Sequence, residues 1–125
     1  MPIATVADND KQLTIQTLIG DAIFEEAMTT LKQFYEDQNV TFNELWDFRK
    51  GGMSLLTTVN MEIIVNFVRD NAHKRTGGKS AFVALKDLDF GMTRMLTTFA
   101  EMKEYPVETE VFRSFDNAIE WLNEE

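Results

Sequence analysis

Two short stretches constrain this fold most: Val40–Arg49 (VTFNELWDFR), which is rich in apolar and aromatic residues, and Ser80–Leu85 (SAFVAL), which is apolar almost throughout. Runs of this length are typical of β-strands that other elements cover on both faces. We therefore expect a sheet with helices packed on each side. Val40–Arg49 lies near the middle of the chain and is predicted to be the central strand, with Asp47 and Arg49 at its carboxyl end.

The segments around these strands alternate between the two regular patterns. Ile3–Ala7 and Leu13–Ile19 are predicted to form a hairpin, joined by a turn at Asp8-Asn9-Asp10. Val107–Phe112 is a more polar strand and is expected at an edge of the sheet. Apolar residues at helical spacing predict four helices, over 22–36, 58–73, 87–104 and 114–123. Candidate capping residues precede or open these helices, namely Asp21, Thr57 or Thr58, Asp87 and Ser114.

The resulting order is β-β-α-β-α-β-α-β-α within 125 residues. Strands that alternate with helices imply a largely parallel sheet with right-handed crossovers. The sequence therefore predicts one α/β domain over residues 1–125, with a five-stranded, mostly parallel sheet and four helices.

Composition excludes several classes of partner. A net charge of −9 argues against a nucleic-acid surface and against docking on anionic lipid headgroups. The chain has no cysteine, which excludes disulfides, thiolate catalysis and cysteine–zinc sites and fits a cytoplasmic location. No apolar stretch approaches the roughly 20 residues of a membrane helix, so no membrane insertion is expected. The opening residues MPIATVADNDK lack the pattern of a signal peptide.

The carboxyl end of the central strand is the first candidate site. Asp47 and Arg49 alternate with Phe48, so both should point to one face, where open α/β folds place ligands. They could anchor a ligand or partner; the alternative is an ion pair that closes the strand end. The loop that follows carries Met53, Ser54, Leu55 and Leu56. An apolar loop above a sheet end suits a lid or a partner surface.

A second candidate is a group of charged residues expected near the same end of the sheet: Lys86, Asp87, Arg94 and Arg113. The first turn of a helix that begins at Asp87 would offer free N–H groups, which favour an anion. Together with Arg49, these residues predict a site for a small carboxylate or phosphate. The alternative is scattered, solvated charge.

Nothing in the sequence assembles a catalytic set. His73 is a single histidine at a predicted helix end, and no acidic calcium-type loop is present. The Arg75–Lys79 run (RTGGK) closes a helix and opens a strand, whereas a phosphate loop does the reverse. We therefore expect a capping turn there, no cofactor, no metal and no enzymatic activity.

Four pieces of the chain carry a resemblance to a known family: LTIQTLIGDAIFEEAMTTLKQFYE, NELWDFRKGG, KRTGGKSAFVALKDLDFGMTRM and PVETEVFRSFDNAIEWL. With this order of elements they resemble the small bacterial STAS/SpoIIAA-like (STAS/SEC14) proteins over nearly the whole chain. The resemblance implies the SpoIIAA-like fold and a regulatory role through protein binding. Its SEC14 side implies a lipid or other hydrophobic ligand.

The resemblance also bears on the strand-end loop. Anti-sigma-factor antagonists carry a phosphorylatable serine after the central strand, in an Asp-Ser-Ser-Gly-type loop. Here Asp47 matches the strand-end aspartate and Ser54 is the nearest candidate phosphoacceptor, but the pattern around it is not kept.

Two functional hypotheses follow. The first is a non-catalytic regulatory or protein-interaction module that binds a protein partner or itself as a homodimer. The second is a small carrier or sensor that holds an apolar or anionic ligand in the strand-end crevice.

Overall fold

Five strands form one sheet in the computed structural model, which describes residues 3–36, 38–87, 89–91, 93, 94, 98 and 106–124. They are β1 (Ile3–Asp8), β2 (Leu13–Ile19), β3 (Asn43–Lys50), β4 (Lys79–Val83) and β5 (Glu108–Phe112), in that order across the sheet. β1 runs antiparallel to β2, and every other neighbouring pair is parallel. The predicted mixed sheet is confirmed, with β3 at its centre and β5 at an edge.

Four helices accompany the sheet. They are α1 (Phe24–Phe34), α2 (Thr58–Asn71), α3, whose described residues are 87, 89–91, 93, 94 and 98, and α4 (Phe115–Asn123). A 3₁₀ turn, Ala72–Arg75, extends α2 towards β4. The predicted third helix also included residues 88, 92, 95–97 and 99–104, which lie outside the described residues.

Two of the predicted caps are confirmed. The Thr57 hydroxyl accepts from the Asn60 backbone N–H at 3.0 Å, and the Asn60 side chain accepts from the Thr57 N–H at 3.0 Å. This capping box satisfies two N–H groups at the start of α2. The Ser114 hydroxyl caps α4 by accepting from the Asn117 N–H at 3.2 Å.

Several predicted boundaries are wrong by two or three residues. β3 begins at Asn43 rather than Val40, because the Phe42 carbonyl is used by Arg75 and not by a neighbouring strand. β4 ends at Val83 rather than Leu85. Asp21 does not cap α1, which begins only at Phe24. The Asp21 carboxylate instead accepts a hydrogen bond from the Ser54 hydroxyl at 3.1 Å.

Helices cover both faces of the sheet, as the apolar central strands predict. On the first, which we call the α1/α2 face, Trp46 and Phe48 of β3 pack with Leu18 of β2 and with Leu31 and other residues of α1 and α2. On the second, the α4 face, Leu45, Ala81 and Val83 pack against α4. The period of two along each strand divides the side chains between the faces. Both faces therefore bury apolar surface, although β1 is exposed beyond Ile3.

Candidate functional site

Asp47 and Arg49 form an ion pair on the α4 face. The Arg49 Nε donates to both Asp47 carboxylate oxygens, at 3.0 and 3.2 Å, and its Nη2 donates to Oδ2 at 2.9 Å. The Arg49 backbone N–H donates to Oδ1 at 3.0 Å. The guanidinium lies over the Phe115 ring, 4.4 Å from its centroid. The pair therefore joins the end of β3 to the start of α4, which is the ion-pair alternative predicted for these residues.

The electrostatics of this pair make Asp47 a poor base. Burial acts to raise the pKa of Asp47, but the hydrogen bonds and charge of Arg49 outweigh burial, so this pKa lies below its ordinary value of 3.8. The hydrogen bond with Asp47 raises the pKa of Arg49 in turn. A carboxylate held ionised in this way takes up a proton less readily than a free one.

The loop after β3 divides its apolar residues between the interior and the surface. Met53 and Leu56 are buried, at 5% and 8% exposure, and belong to the core of the α1/α2 face. The interpretation of both residues as part of an exposed apolar loop is wrong. The Met53 N–H donates to the buried Asp89 carboxylate of α3 at 3.3 Å, which turns this part of the loop inwards. Ser54 and Leu55 remain at the surface.

The predicted cationic cluster is distributed among separate partners. Arg113 pairs with Asp87 at 2.8 Å, donates to the Leu85 carbonyl at 2.9 Å and lies 4.2 Å from the Phe90 ring centroid. Arg49 is held by Asp47, as described above. Lys86 and Arg94 are exposed, in the loop after β4 and on α3. The structure thus gives Arg49 and Arg113 a carboxylate each rather than one shared anion site.

Exposed apolar side chains gather where the parallel strands end. Ile19 is the last residue of β2, Ile23 directly precedes α1, Leu55 lies between β3 and α2, and Leu85 lies after β4. Val59, in the first turn of α2, is 64% exposed, and the other four are 44–57% exposed. These five residues define what we call the strand-end surface. Parallel strands bring their following loops to one edge of the sheet, so loops distant in sequence contribute to the same end of the molecule.

A cavity of about 110 Å³ that no sequence pattern indicated lies on the α1/α2 face. The sheet supplies one wall, with Leu18, Trp46, Phe48 and Phe82 among the lining residues. Helices supply the other, with Ala27 and Leu31 of α1 and Ile64, Val65 and Val68 of α2. The α2 residues that line the cavity are only half-buried, whereas Leu18, Trp46 and Phe48 are buried. The cavity is therefore shielded by the sheet and least enclosed along α2.

Polar side chains form one end of this cavity. Glu44 of β3, Ser80 of β4 and Thr109 of β5 all line it. The strand register pairs Glu44 with Ser80 and Ser80 with Thr109, so the three lie side by side across the sheet. They belong to the α1/α2 face, where most neighbouring side chains are apolar. The wall of the cavity is therefore apolar almost throughout, with these three polar side chains side by side at what we call its polar end.

Arg75 bonds to several groups at this polar end, although its sequence context predicts only a capping turn. Its side chain is fully buried and donates to the carbonyls of Thr41, Phe42 and Lys79 at 2.9–3.2 Å. Its Nη1 lies 3.3 Å from the Tyr35 hydroxyl and 3.7 Å from Glu44 Oε1. Glu44 itself was the available signal, because an acidic residue in an apolar strand requires a buried partner.

Burial raises the pKa of Glu44 above its ordinary value of 4.5, and Arg75 opposes that shift together with hydrogen bonds from Trp46 and Gln16. A carboxyl group with a raised pKa in the folded state binds protons more tightly there than in the unfolded chain. Its contribution to stability is then complete below pH 4.5 and is lost as the pH rises through the folded-state pKa.

We expect replacement of Glu44 with glutamine to remove this pH dependence. Between about pH 4 and pH 8, the free energy of unfolding of the variant should improve relative to that of the wild type as the pH rises. Urea unfolding at intervals across this range measures the difference. A difference between the two proteins that stays constant with pH would contradict the raised pKa.

Two kinds of feature are not found in the part of the chain that the structure describes. Among its residues, no group of three or more His, Asp or Glu side chains is placed to hold a metal ion. Searched over the same residues, no helix has both the length and the apolar character needed to cross a membrane.

The sheet order and the two helix layers define a SpoIIAA-like α/β domain. A DUF3478-family protein of Shewanella loihica with this fold superposes at a TM-score of 0.62, with 15% identity, over 96% of this chain and 91% of its own. The protein TM1081 superposes at a TM-score of 0.61, with 12% identity, over 99% of this chain and 89% of its own. The unphosphorylated anti-sigma factor antagonist SpoIIAA superposes at a TM-score of 0.56, with 10% identity, over 98% of this chain and 99% of its own.

Sequence comparison adds nothing to this structural likeness: no protein-family model matches the chain, and no curated protein matches it either. At identities of 10–15%, the similarity to the three solved structures establishes the fold. It confirms the resemblance to the SpoIIAA-like proteins at that level. Function must be inferred from the surface and interior of this chain.

Proposed function

We propose that this protein is a non-catalytic regulatory module that acts by binding a protein partner through the strand-end surface. The supporting observation is the concentration of exposed apolar side chains at this end: Ile19, Ile23, Leu55, Val59 and Leu85. Contiguous exposed apolar residues mark protein-binding surfaces more often than isolated ones do. The similarity to SpoIIAA, an anti-sigma factor antagonist, is consistent with an interaction role.

The partner we propose first is a second copy of this chain. Two chains that each carry a charge of −9 repel one another, so association requires a surface where apolar contact outweighs that repulsion. The strand-end surface supplies such residues on three different loops and on the first turn of α2. Association through it would leave both helix-covered faces of the sheet unchanged.

An anionic ligand is less well supported than a protein partner. Such a ligand would need Arg49 and Arg113 to be available together, but each already pairs with a carboxylate. Ser54 as a phosphoacceptor also stays a prediction. Its hydroxyl is exposed and bonded to Asp21 at 3.1 Å, so a phosphate there would lie beside a carboxylate and disturb the loop by repulsion.

Substituting Leu55 tests the proposal, and Phe42 provides a matched control. Leu55→Glu places a charge in the strand-end surface, whereas Phe42→Glu places it on a similarly exposed side chain, 51% against 57%, at the opposite end of β3. We expect light scattering at high micromolar concentration to give a dimer mass for the wild type and for Phe42→Glu. Leu55→Glu should weaken association at least tenfold, since a charge buried in an interface costs several kcal/mol. Leu56 is unsuitable for this test because it is a core residue.

Two results would contradict the proposal at different points. A wild-type chain that remains monomeric at this concentration would exclude a second copy as the partner. Affinity capture with immobilised protein then separates the surface from the partner. If Leu55→Glu and the wild type retain the same proteins, the strand-end surface is not the binding surface.

A further inference from the structure

We propose that the cavity on the α1/α2 face binds a small neutral molecule that has an apolar body and one hydrogen-bonding head group. The site is distinct from the strand-end surface, because it lies between the sheet and the helices rather than on the loops. The inference is independent of the protein-binding role proposed above. It rests on the size of the cavity, on the distribution of its polar and apolar walls and on the packing of α2.

The size of the cavity selects a compact ligand. Its volume is about 110 Å³. An apolar cavity of about 150 Å³ in another protein takes up benzene, so this smaller one suits a body no larger than a benzene ring. Trp46, Phe48, Phe82 and Leu31 present rings and aliphatic chains to that body. Burial of an apolar molecule against these side chains supplies the affinity.

The polar end selects the head group. Ser80 and Thr109 bring hydroxyls and Glu44 brings a carboxyl group to adjacent positions on three neighbouring strands. A hydroxyl can both donate and accept a hydrogen bond, and a carboxylate accepts. A ligand with one hydroxyl or amide group can therefore be satisfied at this end while its body stays in the apolar part.

The charges around the cavity exclude an ionised head group. The Arg75 guanidinium is already bonded to the carbonyls of Thr41, Phe42 and Lys79 and faces Glu44, so it has been committed to protein groups. A carboxylate ligand would lose its hydration in an environment of low polarity, and the buried Arg75 that could compensate for that loss is already bonded to protein groups. A cationic ligand would compete with Arg75 for the Glu44 carboxyl group. A neutral ligand avoids both costs.

The packing of α2 gives the ligand a structural consequence. Of this helix only Met61 is buried, and Ile64, Val65 and Val68 are left half-buried over the cavity. A ligand beneath them would add contacts to those that Ile64 and Val68 already make with the core of this face. Binding to the folded state alone raises stability by mass action. The thermal midpoint should therefore rise when the cavity is occupied.

Phenol is the probe that fits these requirements, and the two tryptophans report where it binds. Trp46 lines the cavity, whereas Trp121 lies on the α4 face and serves as an internal control. In an NMR titration of ¹⁵N-labelled protein, phenol should shift the Trp46 indole signal and leave the Trp121 signal in place. We expect a dissociation constant of about 1 mM, as befits a ligand of this size. Benzene should bind about fivefold more weakly, because it makes no hydrogen bond, and benzoate should not bind.

Variants test the apolar part and the polar end of the cavity separately. Ala27→Leu from α1 and Ile64→Phe from α2 each place a larger side chain in the cavity and so reduce its volume, and each should weaken phenol binding at least tenfold. Ser80→Ala should reduce the preference for phenol over benzene without weakening benzene binding. This third variant keeps the proposal testable if either filling variant fails to fold.

Several results would overturn the proposal. Among them are no shift of the Trp46 signal with phenol, equal shifts at Trp46 and Trp121, and benzoate binding as tight as that of phenol. Unchanged phenol binding by a folded Ala27→Leu or Ile64→Phe variant would place the ligand elsewhere. None of these results bears on association through Leu55, so the two proposals can fail separately.

Discussion

Replacing Arg75 with methionine should lower the free energy of unfolding by about 3–5 kcal/mol, the largest single effect we expect in this protein. The side chain is fully buried and connects three segments: the start of β3, the start of β4 and the end of α1. Methionine fills a similar volume but donates no hydrogen bond. The carbonyls of Phe42 and Lys79 would lose their guanidinium donor, and Glu44 would remain in the interior without its cation.

Arg69, a half-buried arginine near the end of α2, provides the control. The Arg69 side chain is 34% exposed, and its Nη2 lies 3.7 Å from Asp70, which is 71% exposed. Pairs of this kind contribute less than about 1 kcal/mol. Urea unfolding of Arg69→Met and Arg75→Met should therefore differ by several kcal/mol. A typical domain has only about 5–15 kcal/mol of stability in total, so the loss at Arg75 is a large fraction.

A double variant separates the lost charge pair from the lost hydrogen bonds. Replacing Glu44 with leucine in the Arg75→Met background removes the unpaired buried carboxyl group, and part of the stability should return. Full recovery is not expected, because the Phe42 and Lys79 carbonyls still lack their donor. If Arg75→Met alone lies within 1 kcal/mol of the wild type, the guanidinium is not the connection that the geometry indicates.

Much of this fold follows from short-range patterns. The apolar stretch of β3, the alternation in β2 and the helical spacing in α1, α2 and α4 each depend on residues close in sequence. Local periodicity is the signal that such residues provide. The caps at Thr57 and Ser114 are also local, since each hydroxyl bonds an N–H group three residues later.

The role of Arg75 could not be predicted in the same way. A cation at the end of a helix, shortly before two glycines, is usually exposed and interacts with the helix dipole, so the sequence pattern predicts an exposed Arg75. Its burial arises from partners at Tyr35 and Phe42, which lie 40 and 33 positions away. Glu44 carried a partial signal, as an acid within an apolar strand, but its partner could not be identified without the strand register.

The candidate site was predicted unevenly for the same reason. Asp47 and Arg49 lie two residues apart, and the ion pair between them was one of the alternatives drawn from their spacing. Met53 and Leu56 are no different in the sequence from the exposed Leu55. Their inward direction depends on the contact of the Met53 N–H with Asp89, 36 positions later. The cavity depends on how far α1 and α2 stand from the sheet, which no local pattern records.

Replacing Gly51 with alanine should destabilise the protein by about 2–3 kcal/mol and disturb the strand-end surface. The added methyl group would lie 2.1 Å from the Gly20 carbonyl oxygen, and backbone atoms cannot move aside as a side chain can. Gly20 is already tied to β3 by its N–H, which donates to the Lys50 carbonyl at 3.0 Å. The loop between β2 and α1 would therefore have to move away from the loop after β3. Ile23 lies on that loop and Ile19 lies next to it at the end of β2, and both belong to the strand-end surface.

Gly91 offers a control with the opposite sign. It is a helical residue of α3, and a methyl group there would meet no atom within 4 Å. Alanine favours a helix over glycine by up to about 1 kcal/mol, so Gly91→Ala should stabilise the protein slightly. Urea unfolding measures both changes, and amide NMR shifts show whether the effect of Gly51→Ala reaches Ile19 and Ile23. If Gly51→Ala is as stable as the wild type, the two loops are not in the contact that fixes this end of the sheet. If it is destabilised and also loses association, while Gly91→Ala does neither, the geometry of these loops supports binding as well as folding.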